Sequence, residues 1–262
     1  MNTQFLEGSA LILGASSGFG EAAALDLARS GMDIFGVHLD RKSTLPNVER
    51  ITSQIKDMGR QAVFFNINAA DAEKRERVLE QIEERKSKVH VLVHSLAFGT
   101  LKPMIAPTER AAISRSQMEM TLDVMANSLI YWTQALVRRQ LMAQGGKIFA
   151  MTSAGGERVW PSYGAVSAAK SALESFVRQL ALELGPNEIS VNAIRAGVTD
   201  TPALRKIPGH EEMIRLATAK NPWGRLTTPE DVAGVISLLS HPKAAWVTGN
   251  VIGVDGGEFV VD

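Results

Sequence analysis

Cysteine is absent from the 262 residues, which excludes disulfides, thiolate nucleophiles and cysteine-ligated metal centres and fits a reducing compartment. An excess of either charge is absent too. Lys plus Arg and Asp plus Glu number 28 each, and beyond the mixed-sign stretch 71–88 no block of charge stands out. Neither a nucleic-acid footprint nor a polybasic membrane anchor is expected. Long hydrophobic runs are also missing: residues 1–9 are polar without a cationic stretch, and the apolar run 10–13 is too short for a signal-peptide core or a membrane span. The chain therefore reads as an untargeted cytoplasmic protein that acts on a small molecule. Its five histidines show no metal-ligand spacing with carboxylates, so no metal is expected. No Pro/Ser-rich linker, composition break or internal repeat divides residues 1–262, which predicts one domain, and 45% apolar residues suffice for a large core.

Strand-length apolar runs recur at 10–13, 34–37, 62–65, 89–93, 147–151, 189–194 and 250–254. Between them, apolar residues fall at helical spacing in 22–27 and 78–82 and in the longer segments 118–141 and 166–184. Parallel strands need crossover connections, usually helical. The alternation therefore predicts an α/β fold, a doubly wound parallel sheet of about seven strands with helices on both faces, and unbroken apolar strands agree. The least regular stretch is 199–226, where Pro202, Pro208, Gly209 and Pro222 punctuate an amphipathic piece around 213–216. It reads as an insertion above the sheet, expected to act as a lid over substrate.

Directly after the first apolar run come Gly14, Ala15, Ser16, Ser17, Gly18, Phe19 and Gly20, and then the helical run 21–29. Glycines allow a sharp strand-to-helix turn and close approach of backbone to a pyrophosphate, whose charge the helix N-terminus favours. The ordinary alternative, a plain glycine loop, lacks a reason for that context. Where an NAD enzyme ends its second strand with an acid on the ribose, this chain has His38. Arg41 and Lys42 follow and suit a 2′-phosphate, although Asp40 stands among them and a solvated charged turn is the competing reading. NADPH is therefore expected over NADH.

The spacing of Gly14, Gly18 and Gly20 resembles that of the short-chain dehydrogenase/reductases, and the resemblance extends over nearly the whole chain, through Asn68-Ala69 and the C-terminal Val254-Asp255-Gly256-Gly257. Within that superfamily the chain is closest in motifs to the enoyl-acyl carrier protein reductases. Ordinary members place a lysine four residues after the catalytic tyrosine; here Ser167 occupies that place and Lys170 stands seven after Tyr163, about 10 Å along a helix on nearly the same face. Val93-His94-Ser95-Leu96-Ala97-Phe98 replaces the usual fourth-strand motif. Gly156-Glu157-Arg158 and Pro161-Ser162 resemble that subgroup's approach to the tyrosine, and Met125 lies near where alcohol dehydrogenases keep an asparagine, with Asn127 the other residue that could align there.

The resemblance implies reduction of the carbon–carbon double bond of an acyl thioester, borne on an acyl carrier protein or on coenzyme A, by a homotetramer with no nucleic-acid or membrane partner. It implies that Tyr163 donates to the thioester oxygen, that Lys170 holds the nicotinamide ribose, and that Ser153, where some relatives have a second tyrosine, supports them. Cofactor contacts are implied for Gly14, Ser16, Ser17, Gly18, Phe19, Gly20, His38, Arg41, Lys42, Asn68 and Ala69 (the adenine side), Ser95, Leu96, Ala97, Gly197, Thr199 (carboxamide) and Thr201 (pyrophosphate). Ser153 reads equally as a strand-end hydroxyl bonded to backbone, His94 reads as structural rather than as an acid or base, and Met118, Met120 and Met125 read as core or interface. A ketone reductase with the same residues, and a non-catalytic dinucleotide sensor, are the competing functions; the sensor would keep the glycine turn and lose the tyrosine or lysine.

Overall fold

Every apolar run becomes a strand: β1 (Ser9–Leu13), β2 (Asp33–His38), β3 (Ala62–Asn66), β4 (Val89–His94), β5 (Met142–Ser153), β6 (Ser190–Ala196) and β7 (Val251–Val254). The computed structural model describes residues 6–261, so residues 1–5 of the polar N-terminal stretch, and residue 262, lie outside the described residues. The strands form one sheet in the order β3-β2-β1-β4-β5-β6-β7, with every pairing parallel. Strands such as β1 are apolar at successive positions because helices cover both faces. The helices α1 (Gly18–Arg29), α2 (Leu45–Asp57), α3 (Ala72–Glu84), α4 (Arg115–Leu122), α5 (Ser128–Arg138), α6 (Gly164–Leu184), α7 (His210–Lys220) and α8 (Pro229–Ser240) complete the fold.

Two cores result. On one face Val78, Leu79, Ile82, Trp132, Leu136, Leu173 and Val177, from α3, α5 and α6, pack on Leu11, Leu92 and Ile148. On the other, Ala23, Leu27, Ile51, Ile55, Val232 and Ile236, from α1, α2 and α8, pack on Ile12, Val93 and Phe149. Capping sets helix starts: Asp71 accepts from the Lys74 backbone N–H at 3.1 Å before α3, and Thr228 and Asp231 form a capping box around Pro229 before α8.

The segment 118–141, expected as one helix, is not continuous. Asp123–Asn127 is a π-helical turn between α4 and α5, and α5 stops at Arg138, after which Gln140 takes a positive φ of 54° and turns the chain into β5. Leu141 is buried in that turn, so its apolarity reflects burial without helicity. Among the described residues, no helix is long and apolar enough to cross a membrane.

Candidate functional site

The strand order reverses between β1 and β4, and the crevice beyond their C-terminal ends is where an open α/β sheet binds ligand. There Gly14 has φ +91°, and a Cβ on it would stand 2.3 Å from the Ser95 carbonyl oxygen; a Cβ on Gly20 would stand 2.0 Å from that of Gly14. Only glycine fits either place. Ser17, the N-cap of α1, gives its side chain to no N–H of the first turn, which leaves those donors for an anion. A Cβ on Gly18 would lie 3.4 Å from the Thr201 methyl, so the two segments expected at a pyrophosphate meet. Asn47, at the start of α2, donates to the Ser16 carbonyl at 2.7 Å and to Glu21 at 3.0 Å, while Arg50 pairs with Glu21. The glycine turn is thus braced from α2. These residues fit a dinucleotide: backbone packing alone demands a cradle without side chains at the helix N-terminus.

At the end of β2, His38 is buried and its Nδ1 lies 2.9 Å from Asp40 Oδ2. Burial alone would raise the Asp40 carboxyl, but hydrogen bonds from Ser16, Thr44 and His38 outweigh it and hold the group below its ordinary value. Arg41 and Lys42 are exposed, and among the described residues neither side chain joins an ion pair. On the adenine side, Asn68 accepts from the Ala70 N–H at 3.0 Å and the Ala69 carbonyl accepts from Trp132 Nε1 at 2.8 Å, which ties that turn to α5.

A cavity of about 850 Å³ opens beside this crevice. Phe19, Ser95, Leu96, Ala97, Ser153, Tyr163, Lys170, Gly197, Thr199 and Thr201 all line it. Tyr163 caps α6, and its hydroxyl lies 3.4 Å from Ser153 Oγ, which also accepts from the Gly155 N–H at 3.2 Å. Ser153 is thus bonded to backbone at the end of β5 and at the same time stands beside the Tyr163 hydroxyl. Burial pushes the Tyr163 hydroxyl above its ordinary value, against the contact with Ser153, so it is a neutral donor at physiological pH. Ser162 before it has φ +63°, a left-handed conformation that costs a non-glycine residue roughly 1–2 kcal/mol.

Lys170, one of the buried charged residues, donates to the Met151 carbonyl at 2.6 Å. Burial brings its ammonium down to about 8, against the attraction of Glu174. His94 is fully buried, and Ser128 Oγ, which donates to the Val124 carbonyl at 2.8 Å, stands 2.8 Å from its Nε2. That network assigns the proton to Nε2. Burial and the nearby Lys170 charge bring the imidazole down to about 3, which keeps it neutral, as befits a structural residue.

Met125 departs from expectation. It is buried in the core, but it also lines the cavity, presented there by the π turn; Met118 and Met120 are not among the lining residues. Sequence reasoning also missed several cavity walls, among them Phe98, Leu101, Trp160 and Glu258, while Met213 and Leu216 bring the amphipathic piece of segment 199–226 to the cavity. Trp160 Nε1 donates to the Pro208 carbonyl at 3.0 Å, joining the approach to Tyr163 with segment 199–226. That segment contains a 3-10 turn, Leu204–Lys206, and α7, so it is more regular than its prolines suggest. Arg205 is engaged by both carboxylate oxygens of Asp200, at 2.7 and 2.8 Å.

The family model described as Enoyl-(Acyl carrier protein) reductase matches residues 14–258. Among curated relatives, the 3-oxoacyl-(acyl-carrier-protein) reductase of Pseudomonas aeruginosa is 29% identical over 254 residues, 96% of this chain and 97% of that protein. The NADH-dependent enoyl-(acyl-carrier-protein) reductase of a Nostoc species is 30% identical over 209 residues, 80% of each. Among solved structures, the enoyl-(acyl-carrier-protein) reductase (NADH) of Aquifex aeolicus superposes with a TM-score of 0.83 at 28% identity, covering 98% of both chains.

Proposed function

Because the chain belongs to the short-chain dehydrogenase/reductase superfamily, in the family described as Enoyl-(Acyl carrier protein) reductase, and is an NAD(P)H-dependent oxidoreductase, we propose that it reduces the carbon–carbon double bond of a trans-2-enoyl thioester. One observation carries the reading: Tyr163 and Lys170 open on one cavity, and the π turn presents there the thioether of Met125. A ketone reductase must pass a proton to the carbonyl oxygen, which ordinary members do through a relay that includes an asparagine-held water. Met125 offers no comparable hold. Reduction at the β-carbon needs the thioester oxygen polarised, and the enolate then takes a proton from water at the α-carbon, so less is asked of such a relay.

When bound, the nicotinamide dinucleotide supplies the hydride. Tyr163 donates a hydrogen bond to the thioester oxygen as negative charge builds there, with Ser153 beside it; a single donor of this kind contributes about 3–4 kcal/mol in comparable sites. Lys170, directed by the Met151 carbonyl and Glu174, holds the ribose hydroxyls. Gly14, Ser16, Ser17, Gly18, Gly20 and Thr201 hold the pyrophosphate, while Phe19, Ser95, Leu96, Ala97, Gly197 and Thr199 hold the nicotinamide half. Asn68 and Ala69 flank the adenine.

The cofactor in this reading is NADPH. Asp40 is engaged internally by His38, whereas the unpaired Arg41 and Lys42 are free to meet a 2′-phosphate. Segment 199–226 closes as a lid, and Lys206 on the cavity meets an acidic carrier, while Arg205 is held by Asp200. A cytoplasmic homotetramer completes the reading; exposed Leu182, Leu238 and Trp246 are apolar surface that association would cover.

The deciding experiment is product identity with purified protein. Crotonyl thioester should yield the saturated thioester with NADPH, and the matching 3-ketoacyl thioester should react much more slowly. A clear preference for the ketone across several chain lengths would instead establish the activity named in the Pseudomonas relative.

A further inference from the structure

Glu258 is a carboxylate in an unexpected place. It follows the two glycines after β7, is 8% exposed, and lines the cavity, yet the chemistry above does not use it. Its Oε2 accepts the Val198 N–H at 3.0 Å. Gly197 leaves room for that contact, because a Cβ there would lie 2.9 Å from the same oxygen. Burial raises the carboxyl above its ordinary value and Asp255 adds to this, while the Val198 N–H and the charges of Arg158 and Lys220 oppose.

The neighbouring residue, Phe259, is held by two guanidinium groups. The Arg195 guanidinium, at the end of β6, stands 3.6 Å from the Phe259 ring centroid, and that of Arg158, on the approach to Tyr163, stands 4.4 Å from it. Arg158 also donates to the Phe259 carbonyl at 2.6 Å, and Arg195 pairs with Glu157 at 3.1 Å. Three segments far apart in sequence, 157–158, 195–198 and 258–259, therefore meet in one clasp, which reaches the turn 197–199 through the Glu258 carboxylate on the Val198 N–H.

We propose that Glu258 is a positioning residue for the nicotinamide end of the cofactor, acting through the backbone of Val198 on the adjoining Thr199. The inference rests on the assignment of Thr199 to the carboxamide. The adenosine half, gripped at the glycine turn and the end of β2, lies outside the clasp, so loss of Glu258 should be felt at one end of the dinucleotide only. A residue that merely stabilised the fold would affect both ends.

The test is binding, measured calorimetrically for the full chain with NADPH against 2′-phospho-ADP-ribose and with NADH against ADP-ribose. Glu258→Ala should weaken the reduced dinucleotide preferred by wild type about tenfold and leave the matching ADP-ribose compound within twofold. Glu258→Gln, whose amide oxygen still accepts from Val198, should bind both as wild type does. Phe259→Leu, which removes both cation–π contacts and keeps the Arg158 bond to the backbone carbonyl, should weaken the reduced dinucleotide severalfold, and it carries the test if Glu258→Ala does not fold. Parallel weakening of both compounds, or unchanged binding of the reduced dinucleotide in Phe259→Leu and in a folded Glu258→Ala, would overturn the proposal. None of these measurements involves an acyl substrate, so failure of the enoyl reading would show separately, in product identity.

Discussion

Replacing Lys170 by methionine should change how stability depends on pH in a way that isolates one buried amine. In the folded chain its ammonium titrates at about 8, against an ordinary value of 10.5, because burial disfavours the charge more than Glu174 favours it. Between those two pH values the unfolded chain binds the proton more than the folded chain does, so stability rises with pH in that window. Below about pH 8 both states are protonated and the contribution is flat. The interval, at about 1.36 kcal/mol per pH unit, amounts to roughly 3 kcal/mol. Methionine removes the titration, and with it the hydrogen bond to the Met151 carbonyl, whose loss is a pH-independent offset. Urea denaturation of both proteins from pH 7 to 10.5 therefore gives a difference, wild type minus variant, in which other titrations largely cancel. That difference should be level to about pH 8 and then climb by roughly 3 kcal/mol in favour of wild type. A level difference across the range, or one that falls, would refute burial as the state of this lysine. At neutral pH the variant should also bind the reduced dinucleotide much more weakly, since it would lack the ribose contacts proposed for Lys170.

Tyr163→Phe should lower kcat with the enoyl thioester about 100- to 1000-fold, as expected for one oxyanion donor, with dinucleotide affinity unchanged; a loss below threefold in steady-state assays would remove Tyr163 from the chemistry. The double change Arg41→Ala with Lys42→Ala should weaken NADPH at least tenfold more than NADH, and equal losses by fluorescence titration, or a wild-type preference for NADH, would point to Asp40 on the ribose instead. Amide hydrogen exchange in 199–226 should slow when NADPH and a substrate analogue are added together, and unchanged protection at saturation would rule out a lid ordered by ligand. With His94 held neutral down to about pH 3, His94→Gln should leave the pH profile of kcat between 5 and 8 unaltered in shape; a lost limb there would make His94 a proton carrier.

The strands were legible because burial on both sheet faces writes them as uninterrupted apolar runs, and the glycine turn because its packing admits no side chain at Gly14 or Gly20. Tyr163, Ser153 and Lys170 were found through the resemblance to the enoyl reductases, and the structure brings all three to the cavity. Other parts depend on contacts that no local pattern encodes. The bracing of the turn by Asn47 joins α2 to the glycine turn across 31 residues, and the Asp40 carboxylate is oriented by His38 and Ser16 rather than by its place in a motif. Glu258 carried a faint signal, a charge directly after two glycines at the end of an apolar strand, but its partner Val198 is 60 residues away. The π turn left no mark on periodicity, because one surplus residue scarcely disturbs an apolar stripe already broad enough to be buried.

That surplus residue has a mechanical consequence. A helix that carries one extra residue in a single turn is offset by about 100° and 1.5 Å relative to an uninterrupted one, so Asp123–Asn127 sets the azimuth of all of α4 with respect to α5. Thr121, on α4, accepts the Thr100 N–H at 3.0 Å and so anchors the loop whose Gly99 and Leu101 wall the cavity. Deleting one residue from the π turn would let the two helices fuse into a regular rod, swing Thr121 away from that loop and carry the Met125 sulfur out of its place. The contour of one side of the cavity is thus governed by a count of residues, and an insertion or deletion there would reshape it more thoroughly than any exchange of side chains.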